Sequence, residues 1–170
     1  RDLHSFPTRR SSDLVVACEE AGLRKLADRS LSVCEFKRFL RRKGYEEAEI
    51  EQTVTSFISR GYLDDESFSK EYIEYSLSRN RGMRRIFAEL REKGVGGDLL
   101  SRLYRETREE YGAAEDELQR ARTEAERLLR NAGIPDGEDV PDKIKARIAR
   151  RLERYGHTAS VICDILDEIR

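Results

Sequence analysis

The chain has 170 residues, enough for one domain or a few small repeated units. Its 33 basic and 34 acidic residues leave a net charge of −1, so global charge names no partner and any electrostatic site must arise from local segregation. Three scattered cysteines and two histidines without metal-ligand spacing argue against a zinc site and predict a reduced, cytoplasmic protein, with no apolar run long enough to span a membrane and no visible secretory signal.

Arg, Glu, Leu, Ala and Lys dominate and β-branched runs are nearly absent, which predicts an all-α fold. The opening RDLHSFPTRRSSDL (residues 1–14) lacks an apolar period and resembles translated sequencing-adapter read-through, so it is set aside as a non-native or disordered tail, and His4 with it. From Leu14 onward helical periodicity predicts a first helix over 15–28, a second over 33–43 and a third over 46–60. Ser32 with Glu35 three residues later predicts a capping box. In GYLDDESF (61–68) the adjacent acids could be metal ligands, catalytic carboxylates or a helix cap. No EF-hand spacing or catalytic partner accompanies them, so Asp64 or Asp65 is read as the N-cap of a helix over 65–80. Helices over 83–93, 98–111, 114–131, 141–155 and 159–169 follow, with Pro141 suited to a first turn and Thr158 to an N-cap. Gly96 and Gly97 loosen the start of the sixth.

One pattern recurs. Ser32, Phe36, Leu40 and Gly44 are spaced by four, as are Gly82, Ile86, Leu90 and Gly94, and Ile144, Ile148, Leu152 and Gly156. Residues at i, i+4 and i+8 share a helix face, and the closing glycine suits a left-handed C-cap. The closing glycines lie 50 and 62 residues apart, a period that suits a three-helix repeat. The expected architecture is therefore an elongated tandem array of three three-helix repeats, residues 15–61, 62–112 and 113–170. The extra length of the third falls in the Pro/Gly-rich NAGIPDGEDVP (131–141).

The middle helix of each repeat is basic. KRFLRRK (37–43) has five basic residues and no acid, RNRGMRRIFAELREK (79–93) six against two, and KIKARIARRLER (143–154) six against one. Stacked repeats could align these helices into a stripe for phosphates or an acidic surface; the alternative is that the acidic and basic helices pair with one another inside the protein, which neither requires nor forbids a partner. The seven tyrosines are read as packing residues rather than base-stacking platforms, Cys34 and Cys163 as small packing residues, and His157 as a surface or cap residue. No P-loop, dinucleotide fingerprint or Ser/His/Asp arrangement is present, and no catalytic residue, metal or cofactor is expected.

GYLDDESF (61–68) followed by RNRGMRRIFAELREKGV (79–95) resembles the RecX family of bacterial RecA regulators, and the resemblance covers about residues 20–170. It implies a non-enzymatic monomer of tandem three-helix units. Such a protein lies along the groove of the RecA filament on single-stranded DNA, inhibits ATP hydrolysis and strand exchange, and limits SOS repressor cleavage. On that reading Arg79, Arg81, Arg84, Arg85, Arg91 and Lys93 face the filament, with Arg41 and Arg42 of the first repeat, and a direct DNA contact is an added expectation. Reversing the charge of Arg84 and Arg85 is expected to weaken binding without unfolding. The alternatives are a stand-alone DNA-binding module and a helical-repeat adaptor.

Overall fold

The structure is a computed structural model that describes residues 11–111, 114–135 and 137–169. Those residues form nine α-helices and no strand: α1 (Ser11–Asp28), α2 (Val33–Lys43), α3 (Glu47–Ser59), α4 (Asp65–Ser78), α5 (Met83–Glu92), α6 (Gly97–Tyr111), α7 (Ala114–Ala132), α8 (Asp142–Tyr155) and α9 (Ala159–Glu168). Helix α1 begins at Ser11, so residues 11–14 of the segment set aside as a tail are helical; residues 1–10, with His4, lie outside the described residues.

The recurrent pattern decides what is buried. Phe36, Leu40, Ile86, Leu90, Ile148 and Leu152 are all 0% exposed. Full burial of each contributes roughly 1.5–3 kcal/mol. Gly44, Gly94 and Gly156 close the pattern at φ of 89°, 83° and 86°, the left-handed region in which glycine ends a helix without a Cβ penalty. The helix starts are capped largely as expected. Ser32 Oγ accepts from Glu35 N at 3.1 Å while the Glu35 carboxylate accepts from Ser32 N. Pro141 stands one residue ahead of the first turn, at the N-cap of α8. Thr158 occupies the N-cap of α9 without a side-chain cap bond, and its N–H instead donates to Glu117 Oε1 at 3.0 Å.

The chain divides into two compact units, one ending at Phe68 and one beginning at Ser69. In the first, α1, α2 and α3 enclose Cys18, Leu31, Phe36, Leu40, Ile50, Val54, Phe57 and Leu63. Gly22 lets α1 close on this core, because a Cβ there would sit 2.6 Å from the Phe36 ring. The acids of GYLDDESF take two structural roles in this unit. Asp64 caps α4, accepting from Glu66 N at 2.9 Å and Ser67 Oγ at 2.6 Å, and the Ser67 hydrogen bond in particular holds its carboxyl below the usual range. Asp65 accepts from Val33 N at 2.8 Å and so ties the start of α4 to the start of α2; burial pushes its carboxyl up.

In the second unit, α7, α8 and α9 enclose Ala121, Ala125, Leu128, Ile148, Leu152, Val161 and Ile165, and α5 packs on α6. This three-helix cluster joins the α4–α5 region through two glycines set back to back. A Cβ on Gly82 would overlap the Gly156 carbonyl and approach His157 N at 2.7 Å. A Cβ on Gly156 would lie 2.6 Å from Arg85 N. The closeness lets Gly82 N donate to Tyr155 O at 2.8 Å, so the C-terminal end of α8 caps the N-terminal end of α5. Aligned peptide dipoles favour that end-to-end contact.

Candidate interaction surface

The cations of the basic helices fall into two groups, those engaged within the fold and those left open. Arg81 and Arg85 belong to the first. Both bind Glu89, Arg81 Nη1 at 3.0 Å from Oε2 and Arg85 Nε at 2.6 Å from Oε1, and Tyr72 donates its hydroxyl to the same carboxylate. Burial presses on the Glu89 carboxyl upward, but the hydrogen bonds from Tyr72 and Arg85 and the two guanidinium charges outweigh it and hold the group below its ordinary range. Arg85 Nη1 also donates to Arg154 O at 2.7 Å across the α8–α5 junction. Charge reversal at Arg85 would therefore break the junction as well as alter the surface, which removes it from any clean test of binding. Arg41 is held by Glu47 through two bonds of 2.9 and 2.6 Å. Lys93 lies 5.3 Å from the Tyr72 ring centroid and Arg79 5.3 Å from that of Tyr75.

Arg84 and Arg91, by contrast, are exposed on α5 and meet no carboxylate among the described residues. With Arg105 of α6 they flank a groove of about 680 Å³ whose floor is Phe87, Leu100 and Tyr104. Phe87 and Tyr104 pack edge to face at 5.0 Å, and Tyr104 remains 40% exposed. Arg42 is likewise exposed on α2, beside a basic groove that contains Lys25, Arg29, Arg38 and Phe39. In the second unit Arg84 and Arg91 border one groove and Arg81 and Arg85 act inside the protein, and in the first unit Arg41 and Arg42 border a groove of their own.

Several residues depart from expectation. Tyr62, Tyr75 and Tyr104 are exposed at 51%, 55% and 40%, although Tyr62 and Tyr104 still set a ring edge-to-face against Phe57 and Phe87; the Tyr111 side chain lies outside the described residues. Cys163 is exposed on α9 rather than packed, whereas Cys34 is half-buried. His157 is buried, not at the surface: its Nε2 lies 3.0 Å from Asn80 O, and its Nδ1 3.7 Å from Glu117 Oε1. The glycine pair draws it inward, because Gly156 brings the following residue against the α4–α5 turn. No helix among the described residues is long and apolar enough to cross a membrane.

No protein-family model matches the chain. Among curated proteins it is similar to Regulatory protein RecX from Mycobacterium sp. strain KMS, 29% identical over 149 residues, 85% of this chain and 76% of that one. Regulatory protein RecX from Trichlorobacter lovleyi is 30% identical over 153 residues, which span 89% of this chain and 94% of the relative. The chain belongs to the RecX family of regulatory proteins. Its fold agrees. The crystal structure of RecX from Lactobacillus salivarius superposes with a TM-score of 0.69 at 18% identity, covering 93% of this chain and 97% of the other. A second RecX crystal structure gives 0.70 at 17% identity, covering 92% and 73%. In this chain GYLDDESF supplies the cap of α4, and RNRGMRRIFAELREKGV the Glu89 clamp and the close approach of α5 to α8.

Proposed function

We propose that this RecX-family chain binds the RecA filament on single-stranded DNA and inhibits RecA's ATP hydrolysis, strand exchange and SOS co-protease activity, acting as a monomer in the cytoplasm. The observation that carries the reading is the α5–α6 groove. Arg84, Arg91 and Arg105 surround the ring of Tyr104, 40% exposed and packed on the buried Phe87, and those arginines have no internal partner among the described residues. Arginine and aromatic anchors of this kind dominate protein–protein contacts, and a rim of unpaired cations suits an acidic partner surface. Arg79 and Lys93 of the second unit, and Arg41 and Arg42 of the first, are proposed as further contacts with the filament. Arg81 and Arg85 contribute by keeping α5 in place. Inhibition would then follow from bridging adjacent RecA subunits, which opposes the relative motion that couples ATP turnover to exchange.

The test is the single-stranded-DNA-dependent ATPase rate of RecA from the matching source, titrated with this protein and with its R84E/R91E variant. The rate is expected to fall at ratios below one per RecA with the parent chain, and the variant to require at least tenfold more protein. Equal inhibition by a folded variant would remove the groove from the contact. No inhibition by the parent would leave the stand-alone DNA-binding module or the adaptor.

A further inference from the structure

A different face of the second unit carries a second kind of chemistry. Lys143, Arg147, Arg150 and Arg154 recur along α8 at spacings of four, three and four, which places them on one helix face about 16 Å long. All are exposed or half-buried, and none meets a carboxylate among the described residues. Arg147, Arg150 and Arg154 line a cleft of about 370 Å³ with Arg127, Arg151 and Leu128. Arg127 and Arg151 also line a second cleft, of about 520 Å³, that continues to Arg79, Arg81, Tyr75 and Tyr155. The one acid lining this channel among the described residues is Glu124, 3% exposed. Arg127 Nη2 binds it at 2.8 Å and Arg151 Nε at 2.9 Å. These bonds and charges outweigh the burial that presses its carboxyl upward, and hold it below the usual range. Glu124 therefore aims two guanidinium groups into the channel and adds no exposed negative charge.

We infer that this arginine channel binds the phosphodiester backbone of single-stranded nucleic acid. Planar guanidinium forks match phosphate oxygens two at a time, and about 16 Å of open cations is long enough to reach more than one phosphate of the same strand. The channel's lining includes one aliphatic side chain, Leu128, besides the rings of Tyr75 and Tyr155, whereas a protein partner calls for buried apolar anchors. Tyr75, 55% exposed at the rim beneath the Arg79 guanidinium, presents a flat ring to an unpaired base, which favours a single strand over a duplex. The inference deepens the reading above by locating the DNA contact, and its test contains no RecA, so either can fail while the other stands.

The test is fluorescence anisotropy of a labelled oligothymidylate titrated with the full chain across a series of salt concentrations. Each phosphate neutralised on a single strand contributes about −0.7 to the slope of log K on log salt. R147Q/R150Q/R154Q is therefore expected to flatten the slope by about 2 and to weaken binding at least tenfold. R24Q/R60Q/R102Q removes the same charge from elsewhere and is expected to keep the parental slope. Y75L is expected to weaken binding several-fold at unchanged slope, with circular dichroism reporting the fold of each variant. Indistinguishable slopes for the two triple variants would overturn the inference. So would equally tight binding of a duplex, or displacement of the oligonucleotide by polyglutamate of matched charge, which would point to an acidic protein instead.

Discussion

At the scale of single residues, Glu89 and Glu124 have the same office. Each is a carboxylate packed between arginines, 21% and 3% exposed, and each is held below its ordinary range despite its burial. Their contribution to stability is fully present above the ordinary carboxylate pKa of about 4.3 and is lost as pH falls through their lowered folded-state values. The melting temperature is therefore expected to drop as the solution is acidified below about pH 4.5. In an E89Q variant the baseline is lower at pH 7, but the decline is shallower. An acid profile parallel to the parent's would show that Glu89 does not supply the dependence. Leu90, two turns beyond Gly82 on the buried face and 0% exposed, makes a simpler case. Truncation to Ala is expected to remove about 2–5 kcal/mol in chemical denaturation.

At the scale of elements, the glycines that open two successive helices are expected to answer substitution in opposite ways. Gly97 begins α6 with an ordinary φ, and a Cβ added there would meet nothing within 4 Å, so G97A should stabilise by about 0.4–1 kcal/mol through the unfolded chain. Gly82, ahead of α5, also has an ordinary φ, of −79°, but faces the Gly156 backbone, so G82A should destabilise by about 1–3 kcal/mol. Thermal melts of both variants check the pair. The contrast also marks what a reading of the sequence reaches. Helix positions were legible because spacing-four apolar residues, Ser32 and the closing glycines are local signals, and α2 runs over residues 33–43 as expected. Gly82 was legible as a member of the repeat but not as half of a crossing, since its partner is remote in the chain. The burial of His157 follows from that same crossing. Arg85 was nearly legible: Glu89 stands one turn on, a spacing that favours an internal pair, and the charge tally of the helix alone concealed it. Tyr75 and Tyr104 flank buried residues in sequence, so only packing reveals which side of the helix they take.

Across the whole molecule, balance and segregation coexist. The net charge is −1, yet Arg84, Arg91, Arg147, Arg150 and Arg154 are unneutralised among the described residues, while many acids are consumed in ion pairs. Evenly mixed charge would let the chain pass through a heparin column at neutral pH. Segregation predicts retention, with R147Q/R150Q/R154Q eluting at lower salt than R24Q/R60Q/R102Q although the two carry the same net charge. Identical elution would show that the open arginines do not act together.

The meeting of α8 with α5 has a consequence in time. The contacts that seal it join residues 69 and 77 positions apart, Arg85 to Arg154 and Asn80 to His157. At a synthesis rate of about 5–20 residues per second, the turn before α5 emerges from the ribosome roughly 4–15 seconds before the segment that will cap it. For that interval Gly82 N–H and Asn80 C=O rely on water, and the notch left for Gly156 stands open. The second repeat is thus finished by the third, and a chain released early carries an unsealed helix end.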